Sequence, residues 1–237
     1  MLMFDNHNLE DLLVLGSPSF NIINSVPNTI DVSSRDGELV QEVRYGSSSI
    51  TFQAAVVGTN TEKRNKLSQL AMWLDVDEPK RLVLPDTPDR YYLAIPDGSL
   101  EIRRLIDADF FVVTFRITEP AAYGAEQSIT IPSGGSTSFS VDGTYKTALK
   151  VTCAQATGNA NNLWGVRLDN GIVMRCELPI SSCAITLDSE SRTCRANNTN
   201  TQITLASDWF FASPGTHSIK NDVGSGECVV SWTERWL

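Results

Sequence analysis

Apolar and polar residues alternate with a period of two along most of this chain, which is the mark of half-buried strands. Ile50, Phe52, Ala54 and Val56 alternate with Thr51, Gln53, Ala55 and Val57. Phe111, Val113, Phe115 and Ile117 alternate in the same way with Val112, Thr114 and Arg116, until Glu119-Pro120 stops the run because proline cannot donate to a ladder. Between these runs lie two further strand patterns, residues 91–95 and residues 100–106, with Leu100, Ile102, Arg104 and Ile106 on one face of the latter. Pro96-Asp97-Gly98 supplies a turn between them. Upstream, Ile30 and Val32 lead into Arg35-Asp36-Gly37, a tight-turn signal, and then a strand over residues 39–45. The period changes once. Thr59-Asn60-Thr61-Glu62 offers a capping box, and Leu67, Leu70, Ala71 and Leu74 follow at helical spacing, so a helix is predicted over about residues 61–75.

Near residue 125 the texture shifts. Charge thins, and Pro132-Ser133-Gly134-Gly135-Ser136 introduces a stretch of strands and turns without a helical period. Strands are predicted at 148–153, 163–168, 171–178, 184–188, 201–205 and 227–232, separated by clusters such as Asp142-Gly143, Asp169-Asn170-Gly171 and Gly224-Ser225-Gly226. This density of short strands predicts a β-sandwich. We therefore expect a mainly β protein of two domains, 1–124 and 125–237.

Composition narrows the function. No apolar run reaches the length of a membrane helix, and the first sixteen residues carry acids where a signal peptide needs bases, so none is expected. Five cysteines (Cys153, Cys176, Cys183, Cys194 and Cys228) lie in the second half with no CxxC pair and only two histidines in the chain, so buried reduced thiols are expected rather than a zinc site. The net charge is -9, of which residues 1–124 carry -7 (11 basic, 18 acidic) and residues 125–237 carry -2 (8 basic, 10 acidic). An acidic surface repels phosphate, which disfavours a nucleic-acid grip.

No nucleophile, metal or nucleotide motif is present. Asp75, Asp77 and Glu78, and the pair Asp107 and Asp109, could in principle supply paired carboxylates, but both groups fall where turns are expected. Trp209-Phe210-Phe211 could present a platform for sugar, centred on Trp209 and Phe210. Consecutive aromatics in an extended segment place at least one ring in the core, the reading we favour here. We expect no catalytic activity, metal or cofactor.

The order of several segments resembles the siphophage distal tail proteins, hubs of the tail-tip baseplate. These segments are Ser34-Arg35-Asp36-Gly37 with Arg44-Tyr45, the strand before the single helix, Trp73-Leu74, Pro88-Asp89-Arg90-Tyr91-Tyr92, and Glu119-Pro120-Ala121-Ala122-Tyr123-Gly124. Residues 184–188, Ser207-Asp208-Trp209 and Pro214-Gly215-Thr216-His217-Ser218-Ile219 continue the likeness. The resemblance implies an N-terminal tail-tube-like β-sandwich with one flanking helix and a C-terminal galectin-like β-sandwich. It implies a homo-hexameric ring that joins the tail tube protein to a tail-associated hub or fibre protein, with a receptor-binding protein as a further partner and DNA passing the lumen unbound. The acidic residues Asp75, Asp77, Glu78, Asp107 and Asp109 are then candidates for an acidic lumen. A carbohydrate-binding module for host attachment is the alternative.

Overall fold

The computed structural model describes residues 1–20, 24–33, 36–98, 100–105, 107–169, 171–178 and 181–237. Ser34 and Arg35 of the predicted turn, Ile106 and Asn170 lie outside the described residues. The chain forms two compact units, Met1–Tyr123 with Leu237, and Gly124–Trp236.

The first unit is built on a nine-stranded antiparallel sheet whose centre is the pair Ser48–Val57 and Ala108–Ile117, matched over ten consecutive positions from Ala108 opposite Val57 to Ile117 opposite Ser48. Tyr92–Pro96 and Lys80–Val83 extend it on one side, and the short strands Val14–Leu15 and Ser19–Phe20 pair with Ser48–Val57 on the other. The predicted alternation sets the faces. Phe52, Phe111, Val113, Phe115 and Ile117 point into a core with Phe4, Leu9, Leu70 and Leu82, where Phe115 packs against Phe4 and Phe52. The helix runs Asn60–Leu74, and its predicted capping box is formed: Thr59 accepts from the Glu62 amide while Glu62 accepts from the Thr59 amide. Leu70 is its deepest apolar residue, and Ala71, expected on the same stripe, is exposed because only a narrow line of the helix meets the sheet.

Two expectations are corrected here. The strand predicted over 100–106 shrinks to Arg103–Arg104, with Ile102 and Leu105 exposed, because it pairs with only the first residues of Ala108–Ile117. In the second unit, the run predicted at 201–205 is a strand only at Thr199–Thr201, and Leu205 is fully exposed in a turn.

The second unit is a β-sandwich. One sheet orders Ala122–Ile131, Cys228–Trp236, Lys150–Ala156, Cys183–Asp188, Thr193–Ala196 and Thr199–Thr201; the other orders Ser136–Val141, Gly215–Val223, Leu163–Leu168 and Ile172–Glu177. Their inward residues share one core that includes Trp164, Val166, Met174, Ile185, Leu187, Phe210 and Val230. The strands Ser136–Val141 and Gly215–Val223 escaped prediction because serine, threonine, asparagine and lysine dominate them; only Phe139, Val141 and Ile219 are buried apolar anchors. On the outer face of the four-stranded sheet, Asp222 accepts from both Arg167 and Arg175, and the two guanidinium groups hold its carboxyl below the usual range against the opposing effect of burial.

Candidate assembly surface

The surface of the first unit is unusually apolar. Fifteen of the eighteen exposed large hydrophobic side chains among the described residues belong to it, against three in the second unit. Ten of the fifteen fall in two places, and strand register explains each.

The first is the sheet face opposite the core. Val14 lies across from Ala55, Ala55 from Phe110, and Phe110 from Arg103, so one row crosses four strands. Val57 and Val112 flank this row, and Val14, Val57, Phe110 and Val112 are each about half exposed. A clean alternation predicts polar residues on a solvated face. Valine and phenylalanine there mark a face prepared for contact.

The second is a β-hairpin, Ser25–Asp31 paired with Glu38–Tyr45, in which every residue is exposed. It forms a two-stranded sheet of its own. Such ribbons are only marginally stable alone. This one displays Val26, Ile30, Leu39, Val40, Val43 and Tyr45. Its Glu42 pairs with Arg44 at 2.8 Å, whereas Asp31, Asp36 and Glu38 make no ion pair among the described residues.

A groove of about 790 Å³ runs beside the N-terminal half of the helix, lined by Arg64, Leu67, Ser68, Ile102, Arg104 and Leu105 among others. Arg64 and Arg104 are exposed, and neither has a carboxylate partner among the described residues. The unit thus carries unmatched acids on its hairpin and unmatched bases around its groove.

The residues singled out from sequence divide sharply. Asp75 caps the C-terminal end of the helix and is exposed, as are Asp77 and Glu78, the latter paired with Lys80 at 2.7 Å. Asp107 is exposed beyond the other end of the helix. The two acidic groups are therefore separated by a helix roughly 20 Å long at about 1.5 Å per residue, and do not form one patch. Asp109 is a correction: it is buried and bonded to Lys63 at 3.1 Å, and Lys63 also donates to the Leu105 carbonyl. It sits on the inward side of its strand and is not available to any lumen. Phe210 is a second correction, since it is completely buried and its amide donates to the Ser189 hydroxyl. Trp209 is half-buried against the same core, so the two rings make no exposed platform. All five cysteines are free and buried, and no cluster of three or more His, Cys, Asp or Glu among the described residues is placed to hold a metal.

The segment Glu119–Gly124 is pinned by aromatic contacts. Tyr123 stacks on Tyr91 with ring centres 5.3 Å apart, the two residues bridge through backbone bonds of 2.8 Å, and the Tyr123 hydroxyl donates to Glu119. Arg81 covers the Tyr91 ring at 4.4 Å.

Comparison with known proteins now decides the family. Residues 7–117 match the phage tail protein RIFT-related domain, and residues 142–236 match the siphovirus-type tail component, C-terminal domain. The chain is a siphophage distal tail protein of the baseplate. Its fold is similar to the crystal structure of the SPP1 Dit protein, described as a paradigm of the hub adsorption apparatus in phages that infect Gram-positive bacteria. The match has a TM-score of 0.83 at 17% identity and covers 100% of this chain and 98% of that one. A chain of the phage P2 baseplate in its activated conformation with calcium is also similar, at TM-score 0.48 and 9% identity over 94% of this chain and 90% of that one. No curated protein matches the sequence. The mainly β fold of this chain, with its one α-helix among the described residues and its sandwich-like sheets, matches that of the SPP1 Dit protein.

Proposed function

We propose that this distal tail protein assembles through its first unit into a six-membered ring that joins the tail tube to the hub or fibre proteins and lets DNA pass. The ring does no catalysis, and its second unit faces neighbouring tail proteins or the host surface. One observation carries the reading: exposed apolar side chains are concentrated on the first unit, on a sheet face and a free-standing hairpin. Each half-exposed valine or phenylalanine stands to gain on the order of 1 kcal/mol on burial. A hairpin of one copy docking on a different surface of the next is a heterologous contact, and such contacts close into a ring when the rotation from copy to copy closes. The unmatched acids of the hairpin and the unmatched Arg64 and Arg104 of the groove fit such a head-to-tail arrangement. The acidic balance of the first unit suits a conduit, because each fixed cation in a lumen would add a phosphate contact to break.

Negative-stain imaging of concentrated protein tests this directly. Six-fold rings with a central hole are expected, and the paired substitution Phe110→Asp with Val112→Asp leaves folded monomers. Charge reversal gives the finer test: Arg64→Glu with Arg104→Glu breaks the ring, and Asp36→Arg with Glu38→Arg on the hairpin restores it. Wild-type protein that stays monomeric at every concentration and beside its tail-tube neighbour would sink the proposal.

A further inference from the structure

Cys153 and Cys228 lie directly opposite each other on the antiparallel strands Lys150–Ala156 and Cys228–Trp236, and both side chains point into the core of the second unit. Opposed residues on such strands have Cα atoms about 4.5–5.5 Å apart, inside the span of about 4.4–6.8 Å that a disulfide bridges. The register therefore already meets the geometric demand of a crosslink, while both thiols are free. The other three cysteines lack this relation: Cys176 and Cys194 belong to strands of different sheets, and Cys183 lies opposite Ala156.

The surroundings favour reaction at Cys153. The loop above it is Gly224-Ser225-Gly226, whose two glycines take φ of 77° and 135°. A Cβ at position 226 would stand 2.6 Å from the Cys153 sulfur, so the thiol is covered there by glycine backbone without a side chain. The strand also breaks register just after Cys153, and such an irregularity opens more readily than a regular ladder. The Cys228 thiol beside it lowers Cys153 to about 7 against the opposing effect of burial, whereas Cys228 itself is pushed up. The break in the ladder and the glycine cover make Cys153 the sulfur that a small disulfide reaches first, with Cys228 as the resolving partner.

We propose that Cys153 and Cys228 are a modification site, a dithiol that a small-molecule disulfide converts into a cross-strand disulfide clamping the strand Cys228–Trp236 to Lys150–Ala156. The Cys153 thiolate attacks one sulfur of the small disulfide and expels one thiolate. Cys228, losing its proton to solvent, then attacks the Cys153 sulfur and expels the second. Two protein thiols are oxidised to one disulfide, and one small disulfide is reduced to two thiols. The setting follows from the family: a tail component leaves a reducing cytoplasm with the particle and meets oxidising surroundings outside.

The test exposes the native full-length protein to glutathione disulfide, blocks residual thiols, and maps peptides without reduction. A Cys153–Cys228 crosslinked peptide is expected, with three blocked thiols remaining, reversal by dithiothreitol, and a higher unfolding midpoint for the oxidised form. Cys153→Ser and Cys228→Ser each abolish the crosslink. The proposal is overturned if all five thiols stay free in native protein while the unfolded chain reacts. A stable glutathione adduct on Cys153 with Cys228 still free, or a crosslink confined to Cys176 and Cys194, overturns it equally. The mapping of wild-type protein decides the matter even where a variant fails to fold.

Discussion

Removing Asp109 should unfold the first unit more readily than removing any other carboxylate in it. Its side chain is 6% exposed and that of Lys63 is 4% exposed, with 3.1 Å between charged atoms. In Asp109→Ala the lysine ammonium keeps its bond to the Leu105 carbonyl but loses the buried counter-charge. Breaking a buried pair from one side costs about 3–5 kcal/mol, whereas replacing both partners by apolar groups of similar volume is often close to neutral. For a unit of this size, about 1 kcal/mol shifts the unfolding midpoint by roughly 3–5 °C, so a fall of roughly 10–20 °C is expected. Lys63→Met combined with Asp109→Leu should recover most of that loss. Urea unfolding monitored by hydrogen exchange, which assigns the change to the first unit, gives the full double-mutant cycle. A loss under about 1 kcal/mol for Asp109→Ala, with no recovery in the double variant, would show that water reaches the pair and that the reasoning from burial is wrong.

Two further predictions concern the second unit. Phe210→Ala should cost about 3–5 kcal/mol through the cavity it leaves, and Trp209→Ala distinctly less; equal costs in thermal unfolding would contradict the burial difference between the two rings. His217 donates from Nδ1 to Asp169 at 3.0 Å and from Nε2 to the Ser213 carbonyl at 2.7 Å, which requires the imidazolium. Burial pulls its pKa down, but these bonds outweigh it and leave the group raised above 6.5. A raised folded pKa stabilises the protein fully below about 6.5 and loses that contribution as pH rises through the folded value. Stability should therefore fall as pH rises from about 6.5 through the folded pKa of His217, and the step should vanish in His217→Asn. Asp169 is exposed, and its bonds from His217 and the Ser218 amide outweigh a desolvation effect and lower it, so it acts oppositely: its contribution is present above 3.8 and is lost as pH falls through its folded value.

The local grammar of the chain was legible throughout. The period of Ile50 to Val57 and of Phe111 to Ile117 needs only the two-residue repeat of a strand, and the Thr59–Glu62 box needs only four adjacent residues. The same local rules misled at residues 100–106, where an apolar stripe exists without a full-length partner strand to bury it. They were silent at Gly215–Val223, where pairing with Ser136–Val141 and Leu163–Leu168 makes a strand of mostly polar residues. Phe110 and Val112 show the limit for the assembly surface. Their alternation with Phe111 and Val113 places them on the outer face, but whether that face is covered depends on elements far away in sequence.

By itself the sequence determined the mainly β class, the single helix with its cap, the change of texture near residue 125 and the absence of recognisable catalytic motifs. These properties reside in neighbours along the chain. Only the tertiary structure decided which charges are structural and which are free. Asp109 reads as one more turn acid until Lys63, 46 residues upstream, is brought against it. Arg64 and Arg104 read as ordinary surface bases until they border one groove whose carboxylate, Asp109, is already held by Lys63. Charge pairing and burial act through space, and the chain's own order does not carry that distance.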